Sequence, residues 1–178
     1  SERETLVDVL VDAGVRSVVP VDESVASAIG AGMRIDQPYG RMNIDIGGGR
    51  TNVSVFSFGH QIVWDILNVG GDRFDDAIID YLRKKHNLLI GARTAEELKI
   101  DIGSARMRGV KLEMDACGRS LVSGLPRAVT VSSEEMIEAL DEPLRDLMSA
   151  LHRMIERTPP ELVADISTNV IVMTGGGS

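Results

Sequence analysis

Ile44-Asp45-Ile46-Gly47-Gly48-Gly49-Arg50-Thr51 is the stretch on which the reading of this chain turns. An apolar strand pattern runs into an acidic residue, three glycines follow, and a second strand pattern starts at Thr51-Asn52-Val53-Ser54-Val55. Glycine carries no Cβ, so backbone N–H groups in such a loop can approach an anion closely. An aspartate at the strand end does not bind phosphate itself, but it suits a hydrated divalent metal that bridges phosphates. The same octet also fits a glycine-rich hairpin with an aspartate capping its turn. The rest of the chain separates the two.

Composition narrows the classes. With 178 residues, 43% hydrophobic and 26% charged, the chain fits one or two globular domains. Aromatic residues are only 3%, so the core must be aliphatic. A formal net charge of −8 excludes a general nucleic-acid binder, whose affinity comes from a basic surface. The single cysteine, Cys117, cannot form an internal disulfide and fits a reducing compartment. There is no apolar run long enough to span a bilayer, and Ser1-Glu2-Arg3-Glu4 is no signal-peptide start. A cytosolic location is expected. Ser1 to Ala13 reads as the later part of a helix, with Leu6, Val9, Leu10 and Ala13 on one face and Gly14 as its stop. The last residues, Gly175-Gly176-Gly177-Ser178, finish a loop with no element after it, so a segment of a longer protein is expected.

In chain order, Arg16 to Val21 reads as a short strand, and Val25 to Gly32 is a run of small residues suited to a closely packed helix. Glu23 lies at the turn between them, where a helix N-terminus favours a carboxylate, and its position alone reads first as a capping acid. Met42 to Ile46 is the strand that carries the opening motif. Thr51 to Phe58 and Gln61 to Asn68 form a hairpin through Gly59-His60. After Asn68-Val69-Gly70-Gly71-Asp72, a helix from Arg73 to about Lys85 carries Phe74, Ala77, Ile78, Tyr81 and Leu82 on one stripe. His86 lacks a second ligand at metal spacing and reads as a solvated helix end. Thr94 and Glu97 have capping-box spacing for a helix reaching Gly103. Val110 to Ala116 and Ala128 to Val131 are β-like, with a turn expected at Gly118-Arg119. Ser132 and Glu135 make a second capping box, opening a helix to about Arg157 with the stripe Met136, Ile137, Leu140, Leu144, Leu147, Met148, Leu151 and Ile155. Pro143 should kink or divide it. Thr158-Pro159-Pro160-Glu161 starts a short helix, and Asn169 to Met173 should be a buried strand feeding the second glycine loop. Two such loops after strands predict an α/β sheet with one ligand at the strand ends.

The ordered set is more specific than its members. Asp-Ile-Gly-Gly-Gly-x-Thr, Gly-Gly-Asp-x-Phe-Asp, Thr-Ala-Glu-Glu-Leu-Lys, Thr-Pro-Pro-Glu-Leu and Thr-Gly-Gly-Gly together resemble the actin, Hsp70 and sugar-kinase superfamily. Within it, the last three motifs resemble the MreB family of bacterial cell-shape-determining actin homologues, over essentially the whole chain. The resemblance implies an RNase H-like, actin-type ATPase fold, of which this would be the second half. Residues 1–82 and 132–178 would form the RNase H-like subdomain, and 83–131 a small inserted α+β subdomain. ATP and Mg²⁺ are the implied cofactors. By the same resemblance, Asp45 serves the metal through water, while Gly47, Gly48, Gly49, Arg50 and Thr51 form the phosphate loop. Glu23 positions the attacking water. Glu96, Glu97, Leu98 and Lys99 form the segment that contacts ribose and adenine, and Gly175, Gly176, Gly177 and Ser178 pack under the base. The implied partners are further copies in protofilaments and the membrane-associated cell-wall synthesis and division machinery, at the inner face of the membrane. Membrane contact would come through regions upstream of this chain.

The chain departs from the family pattern at three points. Arg50 stands where the family has threonine, and a guanidinium there can contact phosphate or crowd the loop. Ser24 replaces the proline after the glutamate. A first phosphate loop of the Asp-x-Gly-Thr type is not in the sequence, which leaves weak ATP binding or none as the expectation for this segment alone. Two other readings stay open at this level: an Hsp70-like ATPase chaperone, which the Gly70 to Asp75 motif also fits, and an actin-fold interaction module without hydrolysis, which Arg50 favours.

Overall fold

The computed structural model describes residues 2–107 and 109–178; Ser1, read from the sequence as part of the first helix, lies outside them. The opening octet sits in an antiparallel meander. Strand β1 (Arg41–Ile46) pairs with β2 (Thr51–Ser57), with Asp45 opposite Asn52 and Ile46 opposite Thr51. Strand β3 (His60–Leu67) pairs with β2 in turn. The hairpin turn is Phe58-Gly59, one residue earlier than expected, and both residues have positive φ, 51° and 77°. That left-handed pair matches the twist of the flanking strands. At the other edge β7 (Val172–Thr174) runs parallel to β1, with Asp45 opposite Thr174, giving the order β3-β2-β1-β7.

Side-chain alternation sorts the two faces of this sheet. Met42, Ile44 and Ile46 share one face with Val53, Val55 and Val63. They join a core formed with Phe74, Ile78 and Leu82 of α3 (Gly71–His86) and Met136, Leu140, Leu147 and Met154 of α5 (Ser133–Arg157). Each such burial contributes roughly 1.5–3 kcal/mol. On the other face Phe56 packs with Ala28 of α2 (Glu23–Gly30) and with Met33. The Asn43 amide donates to the Ser27 hydroxyl at 2.8 Å, tying α2 to β1.

A second sheet has the order β4-β5-β6, from β4 (Leu88–Leu89), β5 (Glu113–Ser120) and β6 (Pro126–Ser132). Its Leu88, Ala116 and Val131 belong to the same core, as do Ala95, Leu98 and Ile102 of α4 (Ala92–Ile102). One apolar core therefore runs beneath both sheets.

Several expectations need correction. Gly118-Arg119 is no turn but lies within β5, near its end, and the turn spans residues 121–125. A Cβ at Gly118 would lie 2.5 Å from the Leu89 carbonyl oxygen, so glycine is there to admit β4. The helix expected to open with Thr94 is capped by Gly91 instead, and Glu97 pairs with Arg93 at 3.0 Å. Residues 16–21 form no strand and pair with none among the described residues, and Val19 is 77% exposed. Helix α1 (Glu2–Asp12) forms, yet buries none of its residues. The predicted buried strand 169–173 is a three-residue edge strand, with Val170, Ile171 and Met173 exposed. Helix α5 continues through Pro143 undivided, and its buried face centres on Ala139, Pro143, Ala150 and Met154 while Met148 faces out. The Ser132–Glu135 capping box is present as expected. Helix α6 (Pro160–Thr168) starts with proline as expected.

Candidate functional site

Parallel pairing of β1 and β7 brings both glycine loops to the same end of the sheet. The first loop closes on itself, with the Gly47 N–H donating to the Arg50 carbonyl at 2.9 Å. Its outward carbonyls are taken by the start of α3: Gly71 N–H donates to Gly47 O at 2.9 Å and Asp72 N–H to Gly48 O at 2.8 Å. Gly70 makes this docking possible, because a Cβ there would lie 2.5 Å from Gly48 O and 2.6 Å from Gly47 O. The amides of Gly48 and Gly49 have no hydrogen-bond partner among the described residues. Two free N–H groups on an exposed loop are what an anion requires. The second loop crosses the end of β1, where Gly177 N–H donates to Ile46 O at 2.9 Å. Gly175 has φ 89°, and a Cβ on it would lie 2.1 Å from the same oxygen.

Carboxylates collect at this junction. Asp45 is half-buried, and its Oδ1 accepts from the Thr174 hydroxyl at 2.8 Å, which fixes the carboxylate at the β1 end. The Asp72 carboxylate stands beside the first loop, about where a Cβ on Gly48 would meet it at 3.4 Å. Two acids beside free amides suit a phosphate–metal pair, the acids facing the cation and the amides the anion. Arg50 is exposed and adds the one positive side chain carried by the loop itself.

Next to the loops lies a cleft of about 720 Å³. Gly176, Gly177 and Ser178 form one wall, and Lys99, Ile100 and residues 103–106 form another. Phe74, Leu140 and Leu144 supply apolar surface. A volume of this order, mixed in polarity and lined by backbone as well as side chains, takes a nucleoside-sized molecule.

The family model described as MreB/Mbl protein matches residues 1–178. The chain belongs to the MreB/Mbl family. It is 44% identical over 177 residues to the cell shape-determining protein MreB of Escherichia coli K12, covering 99% of this chain and 51% of that protein. It is 41% identical to the cell shape-determining protein Mbl of Bacillus subtilis, covering 99% and 53%. The crystal structure of MreB 5 of Spiroplasma citri bound to AMPPNP superimposes with a TM-score of 0.94 at 39% identity, covering 99% of this chain and 53% of that one. The MamK double helical filament, with a TM-score of 0.75 at 19% identity, shares the fold alone. The fold is thus of the actin-like ATPase type, and the chain spans about half the length of the curated relatives it matches. The family match sets the Hsp70-like chaperone reading aside.

Within this MreB/Mbl fold the residues singled out from the sequence fare differently. Gly47, Gly48, Gly49, Arg50 and Asp45 meet Gly175, Gly176, Gly177 and Ser178 at one sheet end. Glu23 is the first residue of α2 and is exposed. The C-terminal part of α2 packs near the Arg41–Phe56 pair and Ser27 meets Asn43, so the Glu23 end of the helix points toward the Asp45 end of β1. Two of the nominated side chains face elsewhere. Thr51 is fully buried with its hydroxyl donating to Val69 O at 2.6 Å, and Leu98 is fully buried in the core. Both hold the site from behind. Glu96 and Glu97 are exposed on α4, with Glu96 on the same helical face as Lys99 and Ile100. Lys99 lines the cleft, and its ammonium bonds to Asp75 and Gly71 O. Asp72, Asp75, Thr174 and residues 103–106 were not singled out. The Gly-Gly-Asp-x-Phe-Asp motif contained the signal for the first two.

Proposed function

We propose that the chain supplies one side of an ATP site in an actin-like filament protein that determines cell shape. The observation that carries this reading is the parallel β1–β7 pairing, which sets two glycine loops side by side next to a cleft of about 720 Å³. The Spiroplasma relatives were solved bound to AMPPNP and to ADP, which supports a nucleotide in that cleft.

On this reading the residues take the following roles. The free amides of Gly48 and Gly49, with Arg50, receive the terminal phosphates and neutralise charge that develops on them during in-line displacement. Asp45, oriented by Thr174, and Asp72 would hold Mg²⁺, directly or through water. Bound there, Mg²⁺ supplies charge neutralisation at the phosphate oxygens. Glu23, at the positive end of a short helix and directed toward the β1 end, orients the attacking water. Gly175 to Ser178 and the end of α4 receive adenosine, with Glu96 and Glu97 on the ribose side. Residues 1–82 and 132–178 act as the RNase H-like subdomain, and 83–131 as the small inserted one. Self-association into protofilaments, location at the cytoplasmic face of the membrane, and contact with cell-wall synthesis and division machinery complete the reading. Regions outside this chain supply the membrane contact.

Sedimentation of the intact protein with and without ATP tests it. ATP-dependent pelleting, weakened by Asp45→Asn, is the expected result. Absence of both ATP binding and pelleting in the intact protein overturns it. Arg50 alone favours a second reading, a filament module without hydrolysis; a steady-state ATPase that appears only in Arg50→Thr would establish that one.

A further inference from the structure

Lys99 and Asp75 form an ion pair in the wall between the phosphate loop and the cleft, with side chains only 17% and 14% exposed. The ammonium lies 2.8 Å from Asp75 Oδ1, donates to Oδ2 at 2.9 Å and to Gly71 O at 3.2 Å. Oδ1 takes no well-aligned hydrogen bond, so charge proximity carries that contact. Two of the ammonium's three N–H groups are thus hydrogen-bonded to protein oxygens, and its charge is matched by the Asp75 carboxylate. Gly71 admits it, since a Cβ there would lie 3.3 Å from Nζ. The same Gly71 donates its N–H to Gly47 O, and Asp72 donates to Gly48 O. A continuous path thus runs from the phosphate loop through the first turn of α3 to Lys99, and from Lys99 along α4 to the cleft wall at residues 103–106.

A half-buried ion pair is weak as a source of stability, because desolvation offsets most of its attraction, and apolar residues of similar volume often serve the fold as well. Its placement here points to geometry instead. We infer that the Lys99–Asp75 pair is a positioning device: it holds α4, and with it the adenosine side of the cleft, in register with the phosphate loop. This rests on the nucleotide reading above. The two side chains act as a unit, so losing either has the effect of losing both.

The test measures affinity for a fluorescent ADP derivative, and melting temperature without nucleotide, in the intact protein and its variants. Asp75→Asn and the charge-free double variant Asp75→Leu/Lys99→Met should each bind roughly tenfold more weakly than the parent. The double variant should keep a melting temperature close to the parent's, because no charge is left buried and unpaired. Lys99→Arg, which preserves the pair, should retain affinity. If Asp75→Asn binds as tightly as the parent while Lys99→Met does not, Lys99 is a direct ligand and the inference is overturned. Parent-like binding by the double variant overturns it as well. A parent that binds no ADP derivative defeats the nucleotide reading itself, a result distinct from either of these.

Discussion

A Cβ added at Gly175 would lie 2.1 Å from a backbone oxygen, whereas at Gly48 or Gly49 it would meet only the flexible Asp72 carboxylate, at 3.4 and 3.8 Å. Two loops of the same composition therefore use glycine for different ends. In the second loop, Gly175 is required by the fold: its φ is 89° and it passes directly over the end of β1. In the first loop, Gly48 and Gly49 have room for a side chain, and the fold's own demand falls on Gly70, against which the loop is docked. On the proposed function, glycine that the fold does not need, on a loop with free amides, serves the ligand.

Substitutions can break this contrast. Gly175→Ala combines a left-handed φ with a backbone overlap, and should lower stability by about 3 kcal/mol or more in chemical denaturation. Its neighbour Gly176 has nothing within 4 Å of an added Cβ, so Gly176→Ala should stay within about 0.5 kcal/mol of the parent. Equal losses at the two positions would remove the distinction between them. Between the loops, Thr174→Val deletes the 2.8 Å bond to Asp45 and should cost about 1 kcal/mol in the same measurement.

The smallest effect lies behind the cleft, at the capping box of α5, whose Leu140 and Leu144 line it. Burial raises the Glu135 pKa, but hydrogen bonds from His86 and the Ser132 amide, with Lys85 nearby, outweigh it and leave the carboxyl below its ordinary 4.5. A lowered folded-state value means that stability from this group is present above pH 4.5 and is lost as pH falls through the folded value. A denaturation series from pH 7 to pH 3 should show a shallower acid decline for Glu135→Gln than for the parent.

How legible the molecule was in its sequence follows the same division between local and distant causes. The β1–β2–β3 meander, α3 and the Ser132–Glu135 box were readable because alternation, helical stripe and cap lie within a few residues of each other. Gly118 misled because its reason is the approach of Leu89, distant in sequence. Thr94 had the right spacing for a cap, but the helix starts earlier, at Ala92 after Gly91. Residues 16–21 and 169–173 read as strands from their apolar content, yet a strand needs a neighbour, and among the described residues only 172–174 find one. At the site, the glycine loops and Asp45 were visible as motifs. That Thr51 and Leu98 turn inward, and that Lys99 is committed to Asp75, depends on packing between α3 and α4, which no single motif encodes.

On the proposed function, the first glycine loop holds a nucleotide's phosphates. Calorimetric titration of Mg²⁺–ATP into the intact protein, beside its Gly48→Ala variant, tests it most directly. The parent should bind saturably and the variant roughly tenfold more weakly, at an unchanged melting temperature. Equal affinities for parent and variant, or no binding by the parent, would contradict it.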